Sequence, residues 1–299
     1  MTDTTVTKYD TRVFFALAWM GVALASFSTI AIAGRQASRG IATLDMICYR
    51  SLITLAMVLI PIMMGPGLAA MRTQRLRWHV ARNCVHFIAQ YSWLAALTMI
   101  PLAQLFALEF TAPIWVACLA PLLLGERLTR TRVISAVLGF TGLLIVARPG
   151  VIPLSVGVSL GMLAALGFAL SMLTTKSLTR TEQPLQILFF MFAIQSAISI
   201  VLLSLFGSKT LPDLGTFGWI TCLSLAGLTG HYALVRAFSL ADAIIVAPMD
   251  FLRLPLIAVV GALLYNEPFD LIVLFGGLVI IAGNLTNLWG ERRGLPKAE

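Results

Sequence analysis

The sequence repeats itself without a gap at an offset of 141 residues, and this duplication constrains the fold more than any other feature. Pairs that match at this offset are Phe27 with Phe168, Arg39 with Arg180, Trp78 with Trp219, Tyr91 with Tyr232, Phe110 with Phe251, Glu126 with Glu267 and Gly142 with Gly283. Each half contains five apolar stretches of the roughly 20 residues that a membrane-spanning helix needs. Because five is odd, the second half enters the membrane from the side opposite to the first. The chain is therefore predicted to be an all-α integral membrane protein of ten transmembrane helices, in two inverted five-helix repeats over residues 9–150 and 151–291 that form a single compact unit.

The composition supports a chain that is solvated mainly by lipid. Hydrophobic residues make up 59% of it and charged residues 11%, whereas about a quarter of a soluble domain is charged. The predicted spans are Val13–Ala33, Thr43–Met64, His79–Met99, Leu102–Leu124, Val133–Ala147, Leu154–Thr175, Leu185–Phe206, Thr216–Phe238, Ala243–Leu264 and Leu271–Trp289. These spans use most of the 299 residues, which leaves no room for a soluble enzyme domain.

The net charge of +8 does not indicate a nucleic-acid partner, because the basic residues follow the predicted topology. With the N-terminus in the cytoplasm, the inner segments hold Lys8, Arg12, Arg72, Arg75, Arg77, Arg82, Arg127, Arg130, Arg132, Lys176, Arg180, Arg292, Arg293 and Lys297. The outer segments hold only Arg35, Arg39, Arg148 and Lys209. This bias follows the positive-inside rule. It predicts a multi-pass protein of a bacterial-type cytoplasmic membrane, with both termini in the cytoplasm and the lipid bilayer as a partner.

One face of the third predicted helix carries polar and aromatic side chains. The row consists of Asn83, His86, Gln90 and Trp93. At 100° per residue these four fall within an arc of about 80°. Polar groups inside a bilayer must face water, a substrate or another polar helix. We expect this face to line a cavity, and interhelical hydrogen bonding is the alternative.

Charged and hydrogen-bonding side chains also occur on the fourth, eighth and ninth helices. They are Glu109 and Trp115, then His231, Tyr232 and Arg236, and finally Asp250 and Arg253. Ionisable groups inside a membrane are costly and are therefore functional candidates. Asp250 and Arg253 are surface neighbours on a helix, so they either bind substrate or form a structural ion pair. Together with the row on the third helix, these residues make up the predicted substrate-binding site.

Two prolines lie one residue out of repeat register on the fourth and ninth helices. Pro113 and Pro255 each remove a backbone hydrogen bond, which would free the carbonyls of Glu109 and Phe251. Matching interruptions in the two halves of a transporter are the best sequence pointer to its binding site. Both prolines are predicted to be hinges, and a packing kink without a ligand is the alternative.

Glycines mark the fifth and tenth helices as surfaces for close packing. Gly139 and Gly142, and later Gly276, Gly277 and Gly283, let helix backbones approach each other. We expect these helices to serve as packing or homodimer surfaces. The cysteines and histidines lack the spacing of a metal site, so no metal or cofactor is predicted. The chain also lacks the common hydrolase motifs, so we expect no catalytic residues and no enzyme.

With these features the chain resembles the drug/metabolite transporter superfamily, in its ten-helix EamA-type branch. The resemblance rests on the duplication and on the turn Leu124-Gly125-Glu126, whose second copy is Asn266-Glu267-Pro268 without the glycine. It implies an alternating-access carrier with a central cavity between the repeats. The aromatic-rich polar interior is similar to that of YddG-type amino-acid exporters.

The residues and the resemblance together predict a transporter that exports amino acids or similar small zwitterions. The cargo's ammonium would lie near Glu109 or Asp250, and its carboxylate near Arg236 or Arg253. A carrier of another metabolite, such as a nucleoside-like molecule or a sugar phosphate, is the alternative. From other classes of protein, a non-transporting scaffold and an intramembrane enzyme are the competing readings. The titratable side chains leave proton antiport and facilitated diffusion equally open.

Overall fold

The described part of the chain folds into helices that cover most of the predicted spans. The computed structural model describes residues 3–124, 130–148, 155–178, 181–240 and 250–294. The helices are α1 Asp3–Ala37, α2 Thr43–Met64, α3 Leu76–Ala96, α4 Leu102–Glu109, α5 Ala112–Leu124, α6 Arg130–Ala147, α7 Val156–Leu178, α8 Pro184–Phe206, α9 Leu214–Leu240, α10 Arg253–Tyr265 and α11 Leu271–Gly294. A short 3₁₀ helix, Leu68–Met71, follows α2. The protein is therefore an all-α integral membrane protein, as the sequence predicts.

Two predicted spans differ from the helices observed. The span Leu102–Leu124 is divided into α4 and α5, with Phe110 and Thr111 between them. The span Ala243–Leu264 is represented by α10, which begins at Arg253, and residues 241–249 lie outside the described part of the chain. Among the described residues, α1, α2, α7 and α8 contain segments both long and apolar enough to cross a membrane.

The helix α4 forms the centre of the hydrophobic core. Its side chains Leu102, Leu105, Phe106 and Leu108 are fully buried. Because the helix ends at Glu109, its last residue is a carboxylate placed inside the protein rather than at its surface. This arrangement delivers one of the predicted site residues to the interior.

The two halves pack as inverted copies of each other. At one end of the α2–α8 pair, Asp45 accepts hydrogen bonds from Ser208 and Thr210, just after α8. At the other end, Gln186 at the start of α8 donates to the carbonyls of Ala70 and Arg72, just after α2. The helices α2 and α8 occupy equivalent places in the two repeats, and they therefore run antiparallel.

Two further helix pairs are related by the same symmetry. The helix α3 packs on α7, and its repeat equivalent α9 packs on α1. A Cβ atom added to Gly167 would lie 2.8 Å from the Cβ of Ala89, and one added to Gly230 would lie 3.1 Å from the Cβ of Ser26. The two contacts are repeat equivalents of each other. At the 141-residue offset Ala89 corresponds to Gly230, and Ser26 corresponds to Gly167.

The glycine-bearing helices α6 and α11 pack on each other within the chain. A Cβ added to Gly142 would lie 2.6 Å from the carbonyl oxygen of Gly276, and one added to Gly283 would lie 2.9 Å from that of Ser135. The glycine-bearing faces of α6 and α11 are thus packed against each other within one chain. A homodimer through the other faces of these helices stays a prediction.

An ion pair joins the end of α6 to the start of α11. Arg148 pairs with Asp270, which also accepts hydrogen bonds from the backbone N–H groups of Ile272 and Val273. Partial burial raises the pKa of Asp270, but the Arg148 bond and the backbone donors outweigh it and hold that pKa below its usual value. The contribution of the pair to stability is therefore present above the unfolded-state pKa and is lost as the pH falls through the folded one.

The turn Asn266-Glu267-Pro268, just after α10, connects α10 to the end of α1 and to the α3–α4 connection. Glu267 forms an ion pair with Arg35 at the end of α1 and accepts a hydrogen bond from the Leu102 N–H at 2.8 Å. The Arg35 side chain also donates to the Leu97 and Ile100 carbonyls in the α3–α4 connection. The role of Glu267 is thus to join the two repeats. Its repeat equivalent, Glu126, lies outside the described residues.

Replacing Gly142 by Ala is expected to destabilise the protein, because the new Cβ would meet backbone atoms of α11 that cannot rotate away. Overpacking of this kind typically costs about 1–3 kcal/mol. The matched control is Gly21→Ala in α1, where nothing lies within 4 Å of the added Cβ. Thermal unfolding of both purified variants in detergent measures the difference. Equal melting temperatures for the two variants would contradict the close α6–α11 packing.

Candidate functional site

A buried arginine joins the two repeats at the centre of the protein. Arg253 Nη2 lies 2.9 Å from Asp250 Oδ2 and 3.4 Å from Glu109 Oε1. The Arg253 side chain is 9% exposed, and the two carboxylates are 28% and 20% exposed. Asp250 and Glu109 are equivalent positions in the two repeats, so a single cation bridges a pair of matching acids.

The ends of two helices meet at this ion cluster. Glu109 is the last residue of α4, and Arg253 is the first residue of α10 with Asp250 just before it. The C-terminal end of a helix favours a nearby cation, and the N-terminal end favours an anion. Arg253 is therefore favoured beside the negative end of α4, and Asp250 beside the positive end of α10. Glu109 and Arg253 each stand at the unfavourable end of their own helix, so their mutual pairing offsets that cost.

Three phenylalanine rings surround the Arg253 guanidinium. Its carbon lies 5.0 Å from the ring centre of Phe27, 5.1 Å from that of Phe106 and 5.2 Å from that of Phe110. Cation–π contacts of this kind are strongest where water is excluded. Phe110 also makes an edge-to-face contact with its repeat equivalent Phe251, at 5.5 Å between ring centres. Since equivalent residues touch only near a two-fold axis, the cluster lies on the pseudo-two-fold axis of the protein.

The aromatic wall extends to the predicted row on α3. Trp93 donates a hydrogen bond from Nε1 to Glu109 Oε2 at 2.7 Å, and its ring lies edge-on to Phe106 at 5.9 Å. Glu109 is thus held by one neutral and one charged donor. This bond brings two of the predicted site residues together from different helices.

The rest of the α3 row faces α7 and the space beyond it. Asn83 donates to the His79 carbonyl and accepts from Arg82, so its polar atoms are satisfied locally. His86 Nδ1 lies 3.2 Å from Ser171 Oγ on α7. Gln90 is 5% exposed, and neither atom of its amide has a partner among the described residues. A buried polar group without a partner costs about 1–3 kcal/mol, so Gln90 is a candidate for binding a ligand.

His231 on α9 joins the same region from the second repeat. Its ring lies 5.5 Å from that of Phe27, which also contacts Arg253. Electrostatic interactions link His231 to His86 and to Arg253. His231 is the repeat equivalent of Gln90, so the two halves place hydrogen-bonding side chains at matching positions.

The structure does not bring three predicted site residues into this cluster. Trp115 packs edge-on against Phe140 of α6, with 4.8 Å between the ring centres. Tyr232 is 57% exposed and contacts Trp19, and the guanidinium of Arg236 lies 6.0 Å from the same Trp19 ring. Trp19 and Arg236 line part of an open groove of about 490 Å³. A larger groove, of about 650 Å³, runs between α1 and α9 and has a mainly apolar lining.

The prolines follow helix breaks rather than kink continuous helices. Pro113 is the second residue of α5 and Pro255 the third of α10, positions where a missing N–H costs little. At the break before α5, the Phe110 carbonyl accepts a hydrogen bond from Asn284 of α11 at 2.9 Å. The Phe251 carbonyl accepts from the Leu254 N–H at 3.1 Å, so the expectation that it is free was wrong. A hinge role for the two prolines stays a prediction.

Sequence reasoning missed the contributions of Arg50, Arg82 and Phe27. Arg50 is 91% buried within α2, where its charge in an apolar helix was itself a sufficient signal. Arg82 was counted as cytoplasmic, but it is 93% buried on α3 and bonds Thr175 of α7. Phe27 carries no polar group, and only the packing of α1 against α10 shows its contact with Arg253. In the part of the chain that the structure describes, no three His, Cys, Asp or Glu side chains are grouped as a metal site requires.

Comparison with known proteins shows that the chain is similar to membrane transporters of small metabolites. The model of the EamA-like transporter family matches it twice, over residues 14–148 and 155–289. A riboflavin transporter of Brucella anthropi is 29% identical over 272 residues, which cover 89% of this chain and 95% of the relative. An S-adenosylmethionine uptake transporter of Rickettsia bellii is 24% identical over 94% of this chain and 96% of its own length. A pseudopaline exporter of Pseudomonas aeruginosa is 25% identical over 86% of this chain and 89% of its own length.

Replacing Arg253 by Met is expected to destabilise the fold by about 3–5 kcal/mol, because it leaves Glu109 and Asp250 facing each other without a cation. Adding Glu109→Gln to the same chain should restore part of the loss, since one of the two like charges is then gone. Thermal unfolding of the two single variants and the double variant measures this coupling. Arg77→Met, at an exposed position of α3, is the control. Strictly additive changes would show that the three charges do not act as a unit.

Proposed function

This chain belongs to the EamA-like transporter family, and from that premise we propose that it carries small zwitterionic metabolites with an amino-acid group across the cytoplasmic membrane. Its general activity, the transport of small metabolites through a membrane, follows from the family and from its relatives. What we propose beyond this activity is the chemical class of the transported molecule. Export is the direction we propose for it.

The observation that carries this proposal is the mixed charge of the interior. Two acids and one arginine meet on the pseudo-two-fold axis, and imidazole and amide groups lie on the neighbouring helices. The acids outnumber the arginine in this cluster, so it carries a formal charge of −1 that favours a cationic group such as an ammonium. Trp93 and the phenylalanines that surround Arg253 supply an apolar surface for the rest of the cargo.

The relatives agree with this cargo in part. The S-adenosylmethionine named for one relative is an amino-acid derivative with a zwitterionic end. One relative is named for uptake and another for export, so the family accommodates both directions. Transport would proceed by rocking one repeat against the other around a site at their interface.

A second candidate is a flavin or nucleoside-like cargo. It is favoured by the riboflavin transporter, which is 29% identical and aligns over most of both chains. The rings that line the axis could stack against such a heterocycle. Unlike an amino acid, riboflavin has no carboxylate and no ammonium group, so it would not need the charged residues.

Flux in proteoliposomes distinguishes these cargoes. Separate vesicle preparations are loaded with labelled threonine, methionine, phenylalanine or riboflavin, and both efflux and uptake are measured for each. Unlabelled riboflavin and S-adenosylmethionine serve as competitors of the amino acids. We expect saturable flux of at least one amino acid, inhibited by the others. Absence of flux for every amino acid would overturn the cargo proposal, and flux of riboflavin alone would establish the second candidate.

The variant Glu109→Gln tests the charged cluster in the same assay. It retains the size of the side chain but removes the charge that Arg253 and Trp93 hold. We expect about a tenfold loss of amino-acid flux, equivalent to about 1.4 kcal/mol of interaction with the cargo. Riboflavin flux, where present, should be unaffected. Unchanged amino-acid flux in a folded variant would exclude Glu109 from the cargo site.

A further inference from the structure

Arginine and histidine side chains form a second group beside the Arg253 ion cluster, and the two adjoin where Phe27 contacts both His231 and Arg253. The second group consists of Arg50 on α2, Arg82 and His86 on α3, and His231 on α9. Its two arginines are buried, whereas His231 is exposed. Arg50 approaches α9 at Gly227, one turn before His231, and His86 lies one turn after Arg82 on α3. Electrostatic interactions reach His86 from the other three, and reach His231 from Arg50, Arg82 and also Arg253. Three helices from both repeats therefore direct basic side chains at one region.

These two arginines have no acidic partner among the described residues. Arg253 is paired with Glu109 and Asp250, whereas no described carboxylate lies within 4.0 Å of Arg50 or Arg82. The carboxylate of Glu182, between α7 and α8, accepts a hydrogen bond from Thr73 at 2.6 Å and lies 3.9 Å from His79. The cationic cluster is therefore uncompensated over the part of the chain that the structure describes.

Arg50 is positioned for a ligand rather than for a structural bond. Its Nε atom is fully buried and has no hydrogen-bond partner in the described chain. Its Nη2 atom lies 3.3 Å from the place where a side chain on Gly227 of α9 would begin. Gly227 lies one helical turn before His231, so the glycine makes room for the guanidinium beside the imidazole. Gly227 is also the repeat equivalent of His86, and a histidine there would occupy this space.

Arg82 is oriented by neutral groups that leave its charge available. Its Nε donates to Thr175 Oγ1 at 2.8 Å, and its Nη1 donates to Asn83 Oδ1 at 3.0 Å. One turn further along α3, His86 is held by Ser171, which lies one turn before Thr175 on α7. Two hydroxyl groups one turn apart on α7 thus orient two basic side chains one turn apart on α3.

We propose that Arg50, Arg82, His86 and His231 form a subsite for the carboxylate of the cargo. An unpaired guanidinium inside a membrane is costly, and a planar carboxylate matches its donors in a bidentate pair. The subsite differs from the one expected from the sequence, which placed the carboxylate near Arg236 or Arg253. Arg253 is already neutralised by two acids, and Arg236 lies beside Trp19 in the groove of about 490 Å³. This inference refines the proposed function by assigning the two ends of a zwitterion to two different clusters.

Thermal stabilisation in detergent tests the subsite independently of transport. The probes are benzoate and its neutral isostere benzamide, at matched ionic strength with chloride as the reference anion. We expect benzoate to raise the melting temperature of the wild type and benzamide to have a much smaller effect. Equal effects of benzoate and chloride would identify an adventitious anion only and would overturn the proposal.

Arg50→Gln is the decisive variant. It should weaken the apparent benzoate affinity at least tenfold, and Arg82→Gln should do the same. Without ligand, Arg50→Gln should melt no lower than the wild type, because it removes an unpaired buried cation. Arg50→Lys retains the charge but not the bidentate geometry, and should show an intermediate affinity. Arg77→Gln, exposed at the start of α3, is the matched control and should bind benzoate as the wild type does.

The outcomes separate this inference from the proposed function. If no amino acid is transported but benzoate binding still depends on Arg50, the subsite stands and the zwitterionic cargo is wrong. If amino acids are transported and Arg50→Gln changes neither their flux nor benzoate stabilisation, the subsite is wrong and the cargo stands. If Arg50→Gln does not fold, the same comparison is made with Arg82→Gln.

Discussion

The interior of this protein depends on the ion cluster in which Arg253 bridges Glu109 and Asp250. Two carboxylates on a pseudo-two-fold axis repel each other, and a buried cation between them removes that repulsion. The axis passes between equivalent residues, as the contact between Phe110 and Phe251 shows. A single arginine cannot obey two-fold symmetry, so the cluster is also the point at which the two repeats must differ.

Helix breaks make this cluster geometrically feasible. A continuous fourth span would leave Glu109 in the middle of a helix, whereas the observed break places it at a helix terminus beside Arg253. The Phe110 carbonyl at the break accepts a hydrogen bond from Asn284 of α11, so another helix satisfies this acceptor. Irregular backbone at membrane depth is tolerated where it is buried in protein, and here it is buried against the cluster that it helps to build.

Asymmetry is concentrated in the interior, while the helix packing stays symmetric. The α1–α9 and α3–α7 pairs repeat the same contacts with their members exchanged. In contrast, His86 corresponds to a glycine at position 227, and that glycine admits Arg50. The interior therefore carries a charge distribution that a symmetric duplication alone would not have.

The sequence by itself determined the membrane fold, the inverted duplication and several polar residues that meet in the interior, because lipid forces apolar helices and makes each intramembrane polar side chain conspicuous. His86, Glu109, Asp250 and Arg253 were found in this way. Only the tertiary structure decided which of them meet, since helix spacing places residues on a face but not against a partner. It separated Trp115, Tyr232 and Arg236 from the cluster, and it brought Phe27 against Arg253 and Arg50 against Gly227. Contacts between helices far apart in the chain depend on their packing angles and register, and these are set by the whole set of packed side chains rather than by any local pattern.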